Sequence, residues 1–402
     1  MPLHRKLLLL GGGHSHLAVL GAAQHWPSGC RVMLVSPDAA TAYSGMVPGV
    51  IAGHYAAADC LIDVERLSRA VGVRFVNASA ISLDPQARTV TLDTGDTLGY
   101  DILSIDVGAT PHTEPGMAQA LHDGGCGQMI LVPAKPFPLL MDRLGGFLKS
   151  IESASSPAAC DMVVVGAGIA GIELALALAH RLGVPAAGER TPARIRLVAE
   201  GARVAQGSAP AVCTALERAC AAAGVEVVPN TRVVGAQPPG ELVTASGHRI
   251  AADLALFATG ASAPAWLANS GLALDPRGFI SVDATLASGS HPEVFAAGDC
   301  ASVDAHPRPK AGVYAVRQGP PLAVNLRRAL AGEAPLPFTP QRQALALVAL
   351  GPRTAIAARN GLAVGGPASA PWLGRTLAEW TATWLWAWKD RIDRGFVARY
   401  RR

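Results

Sequence analysis

Two glycine clusters in this chain sit where backbone amides alone could hold an anion. Gly166-Ala-Gly168-Ile-Ala-Gly171 follows the apolar run Asp161–Val165 and leads into Ile172–Ala179, a strong helix former. Gly11-Gly12-Gly13 follows Leu7–Leu10 and leads through His14-Ser15-His16 into a second helical stretch. The chemistry this allows is recognition of a dinucleotide pyrophosphate. Helix N-terminal N–H groups point at the phosphates, and a side chain at the close-approach positions would block them. The cluster of Gly166, Gly168 and Gly171 has all three fingerprint positions, and the next strand, Ile195–Glu200, closes on an acid. Glu200 can accept from both ribose hydroxyls and would repel a 2′-phosphate, which favours NADH over NADPH. Arg203 lies close by and keeps NADPH open. In the first cluster Gly11 and Gly13 hold the first two positions and His16 stands at the third. Ser36, with Asp38 two residues on, replaces the expected acid and can hydrogen-bond a ribose hydroxyl more weakly. Each cluster also admits a plainer reading, a glycine turn that packs a helix against a sheet without a ligand.

Those clusters dictate the elements around them. Strand, glycine turn, helix, strand is a parallel βαβ unit, and it occurs twice, about 155 residues apart. The expected fold is α/β, with two Rossmann-like units, the second inserted into the first. Three further segments mark the crossings: Tyr100–Pro111 with Gly108, Asp253–Gly260, and Val294–Cys300 with Gly298 and Asp299.

This order of landmarks resembles the pyridine nucleotide-disulfide oxidoreductases, the flavoprotein reductases with two dinucleotide-binding domains, over roughly residues 5–330. Within them the chain looks most similar to the branch of type II NADH dehydrogenases and sulfide:quinone oxidoreductases. A narrower resemblance, to the flavoprotein module fused in front of selenophosphate synthetase (selenide, water dikinase), rests on Gly11–His16, on Tyr43–Gly49 with Gly53-His54-Tyr55, and on Pro309–Gly312. The resemblance implies FAD on the first unit and NAD(P)H, NADH favoured, on the second. It implies an FAD domain of residues 1–115 and 263–332, an NAD(P) domain of 116–262 and a C-terminal segment of 333–402. Toward FAD it assigns Gly11, Gly13, His14, Ser15, His16, Ser36, Tyr43, Met46, Gly108, Gly298, Asp299, Lys310, Gly312 and Val313. Tyr43, Met46 and Pro48 would wall the isoalloxazine ring and Tyr314 would shield its other face. Toward NAD it assigns Gly166, Gly168, Gly171, Glu200 and Gly260. Glu173 would face the nicotinamide–flavin junction, and Lys310 would stabilise the anionic reduced flavin. Their plainer roles are an acid satisfying a helix dipole and a solvated loop lysine. His14 and His16 lack spacing partners for a metal and read as polar fillers around the pyrophosphate.

The implied reaction is hydride transfer from NAD(P)H to FAD, then electron transfer to a quinone or another small acceptor. Disulfide reductases use a closely spaced cysteine pair. The seven cysteines here include no CxxC, and Cys213 and Cys220, seven apart on a helix, are too distant to bridge. No cysteine follows Cys300, which weakens sulfide oxidation, and Cys126 and Cys160 read as buried structural thiols. The glutamine pair of the type II NADH dehydrogenases is replaced by Val313 and Arg317, with Gln318 the remaining polar residue. A reductase of selenium or sulfur metabolism and a low-turnover flavin sensor stay as rival readings.

Composition bounds the rest. At 402 residues, 50% hydrophobic and 16% charged, with 43 glycines, the chain is globular and large enough for two or three domains. A net charge of +4 and no basic tract set nucleic acid aside. An odd number of cysteines suggests reduced thiols and a cytoplasmic chain. The N-terminal leucines are too few for a signal peptide, and no apolar run is long enough for a membrane span. After a proline-rich linker, Ala344–Leu350 and Thr354–Ala358 read as strands before the Asn360-Gly361 turn. Trp380, Trp384, Trp388, Ile392 and Phe396 recur every four residues, beside Lys389, Arg391, Arg394, Arg399, Arg401 and Arg402. A tryptophan-rich basic helix over 380–402 suggests peripheral contact with the inner face of a membrane. Docking on the protein or at a homodimer interface is the alternative.

Overall fold

The computed structural model describes residues 5–153, 160–184, 193–366 and 375–401. Most of the connection after Gly183, and Arg402, fall outside them.

Two parallel sheets organise the chain. The first runs Val294–Ala296, Ile102–Ile105, Lys6–Leu10, Arg31–Ser36, Arg74–Asn77 in spatial order, with every neighbouring pair parallel. Leu7–Leu10 are all buried, as a central parallel strand covered on both faces requires. The second sheet runs Gly125–Cys126, Met129–Pro133, Leu254–Phe257, Cys160–Val165, Ala193–Val198, Glu226–Val228. It is parallel except at its Gly125–Cys126 edge. The chain leaves the first sheet after Gly108 and returns after Gly260, and Thr110-Pro111 pairs antiparallel with Ala261-Ser262 where the two crossings meet. The architecture is therefore the expected α/β fold, with one Rossmann-like unit inserted into the other.

Helices open directly after each glycine turn, His14–Gly21 on the first sheet and Ile169–Arg181 on the second. The helix Gly312–Ala331 crosses the first of these so closely that a Cβ on Gly319 would lie 2.7 Å from the Ala18 Cβ. The contact needs glycine there. The C-terminal segment forms a three-stranded antiparallel sheet, Ala346–Ala349, Ala355–Arg359 and Leu362–Val364. Its second turn holds Asn360 and Gly361 at φ of 51° and 81°, the left-handed pair a two-residue hairpin needs. The third strand was not foreseen.

The helix Arg375–Tyr400 corrects the reading of the tryptophan stripe. Trp380, Trp384, Trp388 and Ile392 are 66%, 53%, 37% and 45% exposed, whereas Phe396 is 8% exposed. Residues four apart drift about 40° per step on a helix of 3.6 residues per turn, so a four-residue repeat cannot stay on one face. By Phe396 the stripe has turned inward, and Phe396, Val397 and Tyr400 join the core of the first sheet. The basic face is also partly spent. Lys389 pairs with Asp393 and Arg394 with Asp390, while Arg401 donates to the carbonyls of Ala58 and Leu61. Among the described residues no helix is long and apolar enough to cross a membrane.

Candidate functional site

The first strand ends at Gly11, whose φ of 91° makes the turn; a Cβ there would meet the Asp106 carbonyl oxygen at 2.3 Å. Gly13 is the N-cap of the following helix. From the end of the neighbouring strand, Asp106 reaches this helix terminus, and its Oδ2 accepts the N–H groups of Ser15 (2.7 Å) and His16 (3.0 Å). Gly298, with φ of 71°, approaches the same carboxylate from the Val294–Ala296 strand. Its N–H donates to Gln318 Oε1 at 2.7 Å, so the buried Gln318 braces the Gly298 turn. Asp299 pairs with Lys135 Nζ at 3.1 Å, a contact from the end of the second sheet. Ser15 Oγ donates to the Ala315 carbonyl, and a Cβ on Gly312 would touch Ser44 Oγ at 3.0 Å. Gly11–His16, Tyr43–Gly49 and Lys310–Gly312, distant in sequence, thus converge at one end of the first sheet.

Several side chains stand elsewhere than expected. His16 does not line the cofactor cradle. Its ring is fully buried, with Nδ1 2.6 Å from the Gly11 carbonyl and Nε2 2.8 Å from Ser104 Oγ, because the third fingerprint position faces the sheet. His14 does face outward from the turn. Its Nε2 is buried without a partner, and its ring lies 5.6 Å from Tyr43 and 6.0 Å from Phe396. Burial holds both histidines near 4, hence neutral. Ser36 donates its hydroxyl to the Asp38 carbonyl, and Met46 is packed in the core where it cannot wall a ring. Val313 and Tyr314 are half-buried in the first turn of their helix. Lys310 donates to the Ala301 carbonyl and sits 3.9 Å over the Phe279 ring, so its ammonium is engaged there. Cys126 is only half-buried, while Cys160 is buried as expected. All seven thiols are free, and burial pushes Cys300 up to about 12.

In the second unit the three glycines divide the work their spacing implies. Gly166, at φ of 107°, makes the turn. A Cβ on Gly171 would overlap the Gly166 carbonyl oxygen at 1.8 Å, so it serves close packing. Nothing lies within 4 Å of a Cβ built on Gly168, which leaves the helix N-terminus open to a ligand. Glu200 is exposed at the end of the Ala193–Val198 strand, and Gly260 accepts the His112 N–H at the crossing. Arg203 is engaged by both carboxylate oxygens of Glu217, at 2.9 and 2.7 Å, and by Thr214 Oγ1. That bidentate pair is what occupies the Arg203 guanidinium in this structure.

Sequence reasoning named Glu173 but missed the groups that gather around it between the units. Glu173, on the second-unit helix, accepts the Ala349 N–H at 2.8 Å; burial pushes its carboxyl up to about 7 while nearby Lys389 pulls it down. Lys389, from the C-terminal helix, donates to the Gly45 carbonyl at 2.5 Å and to Asp393 at 2.6 Å. Asp393 in turn hydrogen-bonds the Tyr43 hydroxyl, and the Tyr43 ring stacks 4.5 Å from Phe396. Pro48, Gly49, Ala177, Ala349, Trp386 and Lys389 line a small cleft here, drawn from four separate segments. The lysine and aspartate lay in a helix read only for its surface; their four-residue spacing announces a pair with each other but not the meeting with Gly45 and Tyr43.

The turns fit two dinucleotides: glycines close each approach, Gly168 is open, and an unpartnered His14 Nε2 faces the first turn. A model of the pyridine nucleotide-disulphide oxidoreductase family matches residues 5–319. A NADH dehydrogenase-like protein of Mycobacterium tuberculosis is 28% identical over 308 residues, 74% of this chain and 73% of its own length. The sulfide:quinone oxidoreductase of the hyperthermophilic bacterium Aquifex aeolicus superposes with a TM-score of 0.76 at 17% identity, covering 99% of this chain and 91% of that one. A NAD-dependent persulfide reductase from A. fulgidus gives 0.70 at 20% identity, over 88% and 64% of the two chains.

Proposed function

This chain belongs to the pyridine nucleotide-disulphide oxidoreductase family, and on that premise we propose that it passes hydride from NADH through FAD to a small apolar acceptor of the quinone type. The observation that carries the reading is the cleft lined by Lys389 and by Ala349, whose N–H Glu173 accepts, and built from both units and the C-terminal segment. FAD, once bound, supplies the two-electron relay between nicotinamide and acceptor. The chain's own residues do the rest. Gly11, Gly13 and Gly298 admit the flavin dinucleotide, and Asp299 accepts from its ribityl chain. Gly166, Gly168 and Gly171 seat the nicotinamide dinucleotide, and Glu200 takes the adenosine ribose hydroxyls. With Arg203 tied to Glu217, the free carboxylate favours NADH. Tyr43 and His14 form the wall toward Phe396. Lys310, stacked on Phe279, acts at a distance as a positive charge.

Reducing a quinone to a quinol consumes protons as well as electrons. Lys389 Nζ at that cleft, and Glu173 Oε1 behind its Ala349 wall, are the groups able to hold a proton there. The exposed Trp380, Trp384 and Trp388 lie on the helix that lends Trp386 and Lys389 to the cleft, which suits a lipophilic acceptor arriving from a membrane surface. On this reading the FAD domain comprises 1–115 and 263–332, the NAD domain 116–262, and the C-terminal segment completes the acceptor site. Seven unpaired thiols lend no support to a cysteine-based selenium or sulfur reaction. Anaerobic stopped-flow absorbance tests the proposal: NADH should bleach the bound flavin faster than NADPH, and a short-chain quinone should restore the oxidised spectrum. Bleaching without reoxidation by any quinone would leave the sensor reading.

A further inference from the structure

Asp106 plays no part in the chemistry above, yet its carboxylate occupies the helix end that must receive a phosphate. Its Oδ2 takes the Ser15 and His16 N–H groups at 2.7 and 3.0 Å, two of the four donors an eight-residue helix leaves unpaired at its N-terminus. Glycines from both flavin-side motifs close around it. A Cβ on Gly13 would lie 2.4 Å from each carboxylate oxygen, and one on Gly298 would lie 2.3 Å from Oδ1. At 2% exposure the group is shut off from water. His14 Nε2, buried without a partner in the first turn of the same helix, independently marks a ligand here. A dinucleotide pyrophosphate brings two negative charges to a site that already holds one, and like charges repel strongly where water is excluded.

We propose that FAD binding is coupled to protonation of Asp106: the carboxylate is the internal anion on this helix, and it takes one proton from solvent as the pyrophosphate arrives. The neutral carboxyl then donates to a phosphate oxygen where a carboxylate would repel it. This inference rests on the reading of Gly11–His16 as the FAD pyrophosphate turn. Burial, then the facing Asp299 charge, push Asp106 up to about 7 against the pull of its backbone donors, so it is poised to titrate near neutrality. The other groups around it are accounted for. His14 and His16, on the same helix, are neutral throughout this range. Asp299 is paired with Lys135 from the second unit, and Cys300 behind it is pushed up to about 12. The long helix contributes only the uncharged Gln318. Lys310 is lowered by burial, and losing its charge on the alkaline side would act in the same direction as Asp106. The variant Asp106→Asn separates the two.

The sign follows from linkage: a second anion raises the Asp106 pKa further, so FAD binds more tightly in acid and weakens as pH rises past the free-protein value. Flavin-stripped full-length protein is titrated with FAD between about pH 6 and about pH 8.5, and by calorimetry in phosphate and Tris buffers. The expected Kd rises with pH by up to about tenfold per unit, with buffer-dependent heats reporting up to about one proton taken up. Asp106→Asn should flatten that slope and bind more tightly than wild type at the alkaline end. A wild-type slope equal to that of Asp106→Asn, or identical heats in the two buffers, overturns the inference. If Asp106→Asn does not fold, the wild-type heats alone decide. Protein that binds no FAD at any pH overturns the FAD-turn reading as well, whereas FAD binding without proton uptake overturns this inference alone.

Discussion

Glu200 and Glu173 show how much depends on what surrounds one carboxyl. Glu200 is exposed and free to accept ribose hydroxyls, so Glu200→Ala should cost on the order of tenfold in NADH affinity and narrow the preference over NADPH, read from the concentration dependence of flavin bleaching. Glu173 is the opposite case. Its carboxyl is raised, so the protonated form is favoured in the folded chain, and its stabilising effect is lost as pH climbs from the ordinary glutamate range through about 7. As a proton donor behind the Ala349 wall of the cleft it is competent on the acid side. Quinone-dependent reoxidation should therefore slow as pH rises through about 7, and Glu173→Gln should flatten that profile while leaving flavin bleaching by NADH intact. A profile unchanged in the variant would remove Glu173 from the proton path. Asp299→Ala should weaken FAD retention by about 10- to 100-fold, the worth of a charge-assisted hydrogen bond, measured by dialysis.

The C-terminal helix is two surfaces on one element. Its inner side carries Phe396, Val397 and Tyr400 into the core, joins Lys389 to Gly45 and Asp393, and donates Asp390 as acceptor to the Tyr55 hydroxyl at 2.6 Å. Phe396→Ala should cost about 3–5 kcal/mol in denaturant unfolding, and Lys389→Met a similar amount, since it strands Asp393 beside Glu173. Deleting the helix would open the first core, so truncation cannot isolate a membrane role. The outer side can be changed without that damage. Replacing Trp380, Trp384 and Trp388 together by Ser should leave stability within about 0.5 kcal/mol per site yet abolish liposome binding in flotation. If the intact protein ignores liposomes and light scattering finds that the triple variant splits a dimer, the stripe is a subunit interface.

For the whole molecule, the proposed flavin pocket draws on segments far apart in the chain. Lys135 reaches Asp299, Ser15 reaches Ala315, and Tyr43 reaches the C-terminal helix. A ligand that bridges so many elements stabilises them together. FAD at a hundredfold excess over its Kd should add about 2.7 kcal/mol, seen as an upward shift of the thermal transition that saturates with FAD concentration. NADH alone, seated on the second unit, should shift the transition less.

The family and the two glycine turns were legible because each rests on local rules: a strand must end, a left-handed residue must turn, and a helix must present bare N–H groups. The turn at Gly166 and the close packing at Gly171 could be read from spacing alone, and Asn360-Gly361 marked its hairpin for the same reason. Where a side chain points once its element is placed was decided only by tertiary packing. His16 turns into the sheet, Lys310 lies on Phe279, Arg203 is taken by Glu217, and the tryptophan repeat winds from solvent into the core. Asp106 lies in the Tyr100–Pro111 crossing and Lys389 in the basic stripe, yet neither position, nor that of Asp393, announces its role. Each also meets a partner 90 or more residues away, and such a meeting follows from how the layers pack, which no local pattern encodes.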